Sequence, residues 1–307
     1  MADAAPGTNA THARAGEVRG PVRVSWGLRL RYALASLVFF LGYRVFGLRR
    51  AVIRGNLERS FPDRSDAERR QIRREFIRRQ SQVLAEIDYA RRMPADEFRQ
   101  RVRLIDATGV LAASRQIVIV GAHQCNFEWL LLRLSLELGA GMVCLYKPLR
   151  GPGERYFHEL RTRFGSRLLP SKSVTKELGT IRNARALGLV ADQVPRTSPE
   201  RHWTNFLRQP TAFFKGPERL ARLMRAQVVY VCMRRLERGE YEVTLEPLTT
   251  AEERKLPPGT IMERYARVLE RDIDADPAGW WWSHKRWKIK APEPGATDAE
   301  SSETAGD

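Results

Sequence analysis

A histidine stands five residues ahead of a glutamate in Gly121-Ala122-His123-Gln124-Cys125-Asn126-Phe127-Glu128. The apolar run Gln116–Val120 precedes the pair and reads as a buried strand. Trp129–Leu134 follows and reads as a helix. In open α/β sheets, ligands bind outside the carboxyl ends of the strands. A neutral imidazole there can donate one N–H to a carboxylate and accept a substrate proton on its other nitrogen. That is the equipment of a general base with an orienting partner. On a continuous helix a spacing of five turns the side chains about 140° apart. His123 and Glu128 can therefore meet only if the chain bends between them, and a strand-to-helix junction supplies a bend. Taken alone, an unrelated histidine and glutamate would show the same spacing.

Two further strand ends are polar. Tyr146-Lys147-Pro148-Leu149-Arg150 closes the run Gly141–Tyr146, and its two cations, Lys147 and Arg150, suit a phosphate or an oxyanion. Asp192-Gln193 closes Leu187–Ala191 and adds two more candidate substrate contacts. Phe206–Gly216 mixes apolar residues with a turn and could wall an acyl-chain groove; plain core and loop is the competing reading. Trp280, Trp281, Trp282 and Trp287 lie among His284, Lys285, Arg286 and Lys288. Such a cluster suits a membrane interface, stacking on nucleobases, or packing against the domain. Cys125, Cys144 and Cys232 are widely spaced in or beside apolar runs and read as buried small hydrophobes. GxxxxGK[ST], GxGxxG, GxSxG and HExxH are all missing, so nucleotide, α/β-hydrolase and zinc-protease readings lack their fingerprints.

The elements that must carry these residues alternate in type. Strand-like runs at 102–105, 116–120, 141–146, 167–169, 187–191, 228–233 and 241–245 are separated by helical stretches at 155–164, 173–186 and 217–226, and 260–273 closes the series. This predicts one α/β domain over 93–290, with a mostly parallel central sheet flanked by helices. Before it, 21–92 reads as apolar and basic helices suited to membrane association. Tyr32–Tyr43 is uncharged but shorter than the ~20 residues of a spanning helix, and Trp26 and arginines flank it. Ser65 with Glu68 forms a capping box that opens a helix of about 66–92. Residues 1–20 and 291–307 read as a disordered N-terminus and a disordered acidic tail. With 53 Lys and Arg against 36 Asp and Glu, the formal charge is +17. The cations are spread along the chain, which favours a broadly basic face toward an anionic membrane, an acidic protein or nucleic acid.

Taken in order, these pieces resemble the bacterial lipid A late acyltransferases of the lauroyl/myristoyl type, within the wider His-x4-Asp/Glu glycerolipid acyltransferases. The resemblance runs from Trp26 to Lys288. It includes Asn56-Leu57 with Phe61-Pro62, His123-x4-Glu128, Tyr146-Lys147-Pro148-Leu149, Asp192-Gln193, Phe206–Gly216 and Trp282–Lys288. Lys147 stands where many members carry Arg, which keeps the charge and loses the bidentate fork. The resemblance implies acyl transfer from acyl carrier protein to a glycolipid hydroxyl at the cytoplasmic face of the bacterial inner membrane. It implies His123 as general base, Glu128 as its orienting carboxylate, and no cofactor or metal. Another phospholipid or glycolipid acceptor is the nearest alternative. A basic nucleic-acid-binding protein or a non-catalytic membrane-surface protein is the alternative of a different class. The apolar run 32–43 argues against nucleic acid.

Overall fold

Two apolar strands, β2 (Ile117–Gly121) and β5 (Ala186–Val190), lie side by side at the centre of the protein. The computed structural model describes residues 25–291 apart from 46, 48, 114, 196–199, 251, 252 and 254. Of the segments expected to be disordered, 1–20 and 291–307, all but residue 291 lies outside the described residues.

The sheet has seven strands in the order β1-β9-β8-β2-β5-β3-β4. These are β1 (Val102–Ile105), β3 (Met142–Tyr146), β4 (Arg167–Pro170), β8 (Gln227–Glu237) and β9 (Glu240–Pro247), with β2 and β5. Within this sheet, among the described residues, β8 and β9 pair antiparallel and the other neighbours pair parallel. A separate hairpin joins β6 (Arg201–Phe206) to β7 (Gln209–Phe214).

Helices cover both faces of the sheet, as a parallel sheet requires. Alternate residues of one strand feed two cores. Val118 and Val120 of β2 pack with Val228 and Tyr230 of β8, α8 (Gly216–Met224) and α9 (Thr260–Ala275). Ile117 and Ile119 pack on the other side with α5 (Phe127–Leu138), α4 (Ala95–Arg101) and Leu160 of α6 (Gly153–Arg161). The expected helix over 173–186 shrinks to a turn of 3-10 helix and α7 (Leu178–Asn183). Ser173, Thr175 and Gly179 are poor helix formers, which is consistent with the shortening.

The N-terminal helices are α1 (Trp26–Phe40), α2 (Arg50–Ser60) and α3 (Asp66–Ala90). The capping box of α3 is present, with Ser65 and Glu68 bonded reciprocally. Phe76 joins the first core, and Val83 and Ile87 join the second, so α3 spans both. α1 lies on α3 through Leu28, Tyr32 and Ala35, packed with Ala85. Its other side exposes Trp26, Leu30, Leu34, Leu37 and Val38. Among the described residues, no helix is long and apolar enough to cross a membrane.

Candidate active site

The register of β2 on β5 builds the centre of the site. Gly121 pairs with Val190, so His123 and Asp192 each lie two residues past the same rung. The Asp192 carboxylate faces His123 at 2.7 Å from Nδ1 and accepts the His123 backbone N–H at 3.0 Å. Its Oδ2 also accepts the Trp280 indole N–H at 3.0 Å. Asp192 is 3% exposed. Burial raises its pKa, but its interaction with His123 and these hydrogen bonds outweigh burial and leave it below the usual value. A carboxylate held ionised there keeps the proton on Nδ1 and leaves Nε2 as the acceptor. The Gln193 amide lies 3.1 Å from that Nε2. The rings of Phe127 and Trp281 stand edge-on to the imidazole.

The turn after β2 is clamped. Cys125 has a left-handed backbone, with φ of 50°. Its N–H donates to the Gly279 carbonyl at 2.8 Å, and the Trp281 N–H donates to the His123 carbonyl at 3.1 Å. Asn126 then caps α5, its side-chain oxygen accepting the Trp129 N–H at 3.1 Å. Cys125 is buried, and burial pushes its thiol up to about 12, so it is not a thiolate nucleophile.

Glu128 does not sit on His123, contrary to the sequence expectation. It occupies the first turn of α5 and is 2% exposed. Arg161 of α6 takes both of its oxygens, Nε to Oε2 at 2.9 Å and Nη2 to Oε1 at 2.5 Å. The bend between the two residues turns Glu128 toward α6 and leaves the imidazole to Asp192. Asp192 was expected to contact substrate and instead lies beneath the histidine. Gln193 does reach the histidine. Lys147 and Arg150 are exposed beyond β3, and neither makes an ion pair among the described residues.

The tryptophan cluster is mostly internal. Trp280 and Trp282 are buried and meet edge to face, 4.8 Å between ring centres. Arg286 is buried too, with its guanidinium over Phe213 and donating to the Ala212 carbonyl at 2.7 Å. Burial lowers its pKa to about 10. The motif is therefore chiefly packing, with Trp280 holding Asp192. Asn56 of α2 fastens it, its amide donating to the carbonyls of Trp282 and His284, both at 2.9 Å. Phe206 and Phe213 of the β6–β7 hairpin are likewise core residues, so they do not line an open groove. No group of three or more metal-ligating side chains occurs among the described residues.

The family described as bacterial lipid A biosynthesis acyltransferase has a sequence model that matches residues 28–289. The chain belongs to this family. The match includes every site residue named above. No curated protein matches the chain. Among solved structures, it aligns with the 1-acyl-sn-glycerophosphate (LPA) acyltransferase, PlsC, from Thermotoga maritima, at 13% identity and a TM-score of 0.39. That alignment covers 80% of this chain and 98% of the other. As a lipid A acyltransferase family member, the chain presents a half-buried imidazole and its buried carboxylate at the ends of two adjacent parallel strands.

Proposed function

We propose that this chain moves a fatty acyl group from the thioester of acyl carrier protein to a hydroxyl of a lipid A precursor or related glycolipid. The observation that carries the reading is the His123–Asp192 pair, 2.7 Å apart, in a chain of this family. Asp192 keeps the Nδ1 proton in place. Nε2 accepts the proton of the acceptor hydroxyl as its oxygen attacks the thioester carbonyl. The tetrahedral intermediate collapses and the C–S bond breaks. The departing sulfur takes the proton from Nε2, giving ester and free thiol. The Gln193 amide must leave Nε2 before the hydroxyl can bind there. Lys147 and Arg150, exposed beyond the end of β3, would meet phosphate on donor or acceptor.

The basic balance of +17 would attract an acidic carrier protein. The apolar outer side of α1, with Arg29 and Arg31 on the same helix, would rest in an anionic lipid surface. This reading places the enzyme at the cytoplasmic face of the inner membrane. Mass spectrometry of lipids from cells expressing the chain tests it. The expected result is a lipid A precursor heavier by one acyl group, lost with His123→Ala although that protein folds. An unchanged lipid profile in cells expressing wild type would refute the acceptor, and an active His123→Ala would refute the base. Purified enzyme given acyl carrier protein or coenzyme A thioesters identifies the donor.

A further inference from the structure

Glu86 of α3 is 0% exposed, and the charge of Arg235 acts on it. Its carboxylate accepts hydrogen bonds from three other parts of the fold. These come from the Tyr32 hydroxyl of α1 at 2.9 Å, the Tyr241 hydroxyl of β9 at 2.6 Å and the Asn126 amide at 2.9 Å. The Glu86 backbone carbonyl takes the Trp129 indole N–H at 3.0 Å. Buried carboxylates persist when their oxygens are met by donors. Here the donors come from the N-terminal helix, an outer region of the sheet and the catalytic turn.

Asn126 works at both ends. Its oxygen caps α5 and its nitrogen reaches Glu86. It lies three residues after His123 and directly follows Cys125, whose left-handed backbone needs support from its surroundings. On one side the turn is tied to Gly279 and Trp281. On the other, Asn126 supplies its side-chain tie.

We propose that Glu86 is a positioning residue for His123, holding the catalytic turn through Asn126 and tying it to the seating of α1 through Tyr32. The proposal rests on His123 as the base. It means that the helix with the exposed apolar side is two hydrogen bonds from the turn that carries the imidazole.

Two variants leave His123 and Asp192 untouched. Asn126→Ser keeps a capping oxygen for the Trp129 N–H but has no amide to give Glu86. Tyr32→Phe keeps the ring between α1 and α3 and loses the hydroxyl. Each is measured for kcat, KM, Tm and the histidine ring nitrogen signals in labelled enzyme. The expected result for Asn126→Ser is a kcat about 10- to 100-fold lower at near-normal KM, since small misplacements of reacting groups cost on this scale. The His123 signals should shift, and Tm should stay within a few degrees. Tyr32→Phe should lower kcat about threefold or more, and the double variant should lose less than the product of the two. Wild-type kcat in either variant overturns the proposal, as does a fall that only tracks the folded fraction. If His123→Ala stays active, the base assignment fails, and the nitrogen signals still report whether Glu86 positions the ring.

Discussion

The Asp192 carboxylate lies 2.7 Å from Nδ1 of His123, and each residue is two positions past the Gly121–Val190 rung of adjoining parallel strands. Sheet register, more than sequence spacing, makes the pair. Asp192→Asn keeps the shape but turns an amide N–H toward Nδ1. That favours the tautomer with its proton on Nε2, which cannot accept from a hydroxyl. The expected loss in kcat is about 10³- to 10⁴-fold, the scale seen when the orienting carboxylate of a histidine base is neutralised. A steady-state assay on folded variant checks it, and a loss under tenfold would show that Asp192 does not set the tautomer.

Glu128 and Arg161 predict a different phenotype. Their ion pair joins α5 to α6, with Glu128 buried and Arg161 half-buried. Removing either partner leaves the other uncompensated, at a cost of about 3 kcal/mol. Glu128→Leu and Arg161→Leu should each lower Tm clearly, and the double variant should recover part of the loss. Glu128→Gln should keep the wild-type shape of the pH–rate profile, because Asp192 still holds the imidazole. A profile that changes shape would return Glu128 to the histidine.

How much of this could be read from the chain follows from which signals are local. His123 was legible because an apolar run, a polar residue and a new helix are consecutive. Asp192 was visible as a polar strand end, but its role was not. β2 and β5 are neighbours although β3 and β4 lie between them in sequence, and strand order leaves no local mark. The β6–β7 hairpin went unseen for another reason. Its two-residue turn is Leu207-Arg208, with φ of 49° and 62°. Such turns usually carry Asn-Gly, and a proline such as Pro210 is uncommon inside a strand. The tryptophan motif has surface-like composition, yet Trp280 and Trp282 go inside because the Asp192 carboxylate and the Pro277 carbonyl satisfy their indole N–H groups. Glu86 had no sequence signal, since nothing local marks a helix glutamate that will be buried.

Gln193 covers the nitrogen that the proposed mechanism needs free. Its contact with Nε2 is exposed, and a hydrogen bond of this kind is worth about 0.5–1.5 kcal/mol. Gln193→Ala should therefore raise kcat/KM by up to roughly tenfold if the amide only blocks the base. A fall, measured with the same acceptor and donor, would show that the amide contacts substrate.

His284 makes stability depend on pH near neutrality. Burial, the largest effect, lowers its pKa below 6.5; the Asp192 charge opposes this, while Arg286, His123 and Arg49 reinforce it. The unfolded chain thus takes up a proton near 6.5 that the folded chain refuses. As pH falls through 6.5, the unfolded state gains and stability drops until the folded pKa is reached. His284→Asn should flatten the Tm–pH curve as pH falls below about 6.5. A variant curve as steep as the wild type would assign that slope to other groups.

The membrane contact proposed for the outer side of α1 can be tested separately from folding. Leu34, Leu37 and Val38 are 57%, 55% and 60% exposed, so glutamate there removes little packing. Surface changes of this kind usually shift stability by less than about 0.5 kcal/mol. A carboxylate on each would nonetheless oppose insertion of the apolar side and repel anionic headgroups. The triple variant should keep its Tm and lose most of its co-sedimentation with vesicles containing anionic lipid. On a short-chain acceptor presented in detergent it should keep near-normal kcat, because Tyr32, on the other side of the helix, still reaches Glu86. Undiminished vesicle binding would show that α1 is not the attachment surface. Loss of kcat in detergent, at unchanged Tm, would show that the exposed side also contacts substrate.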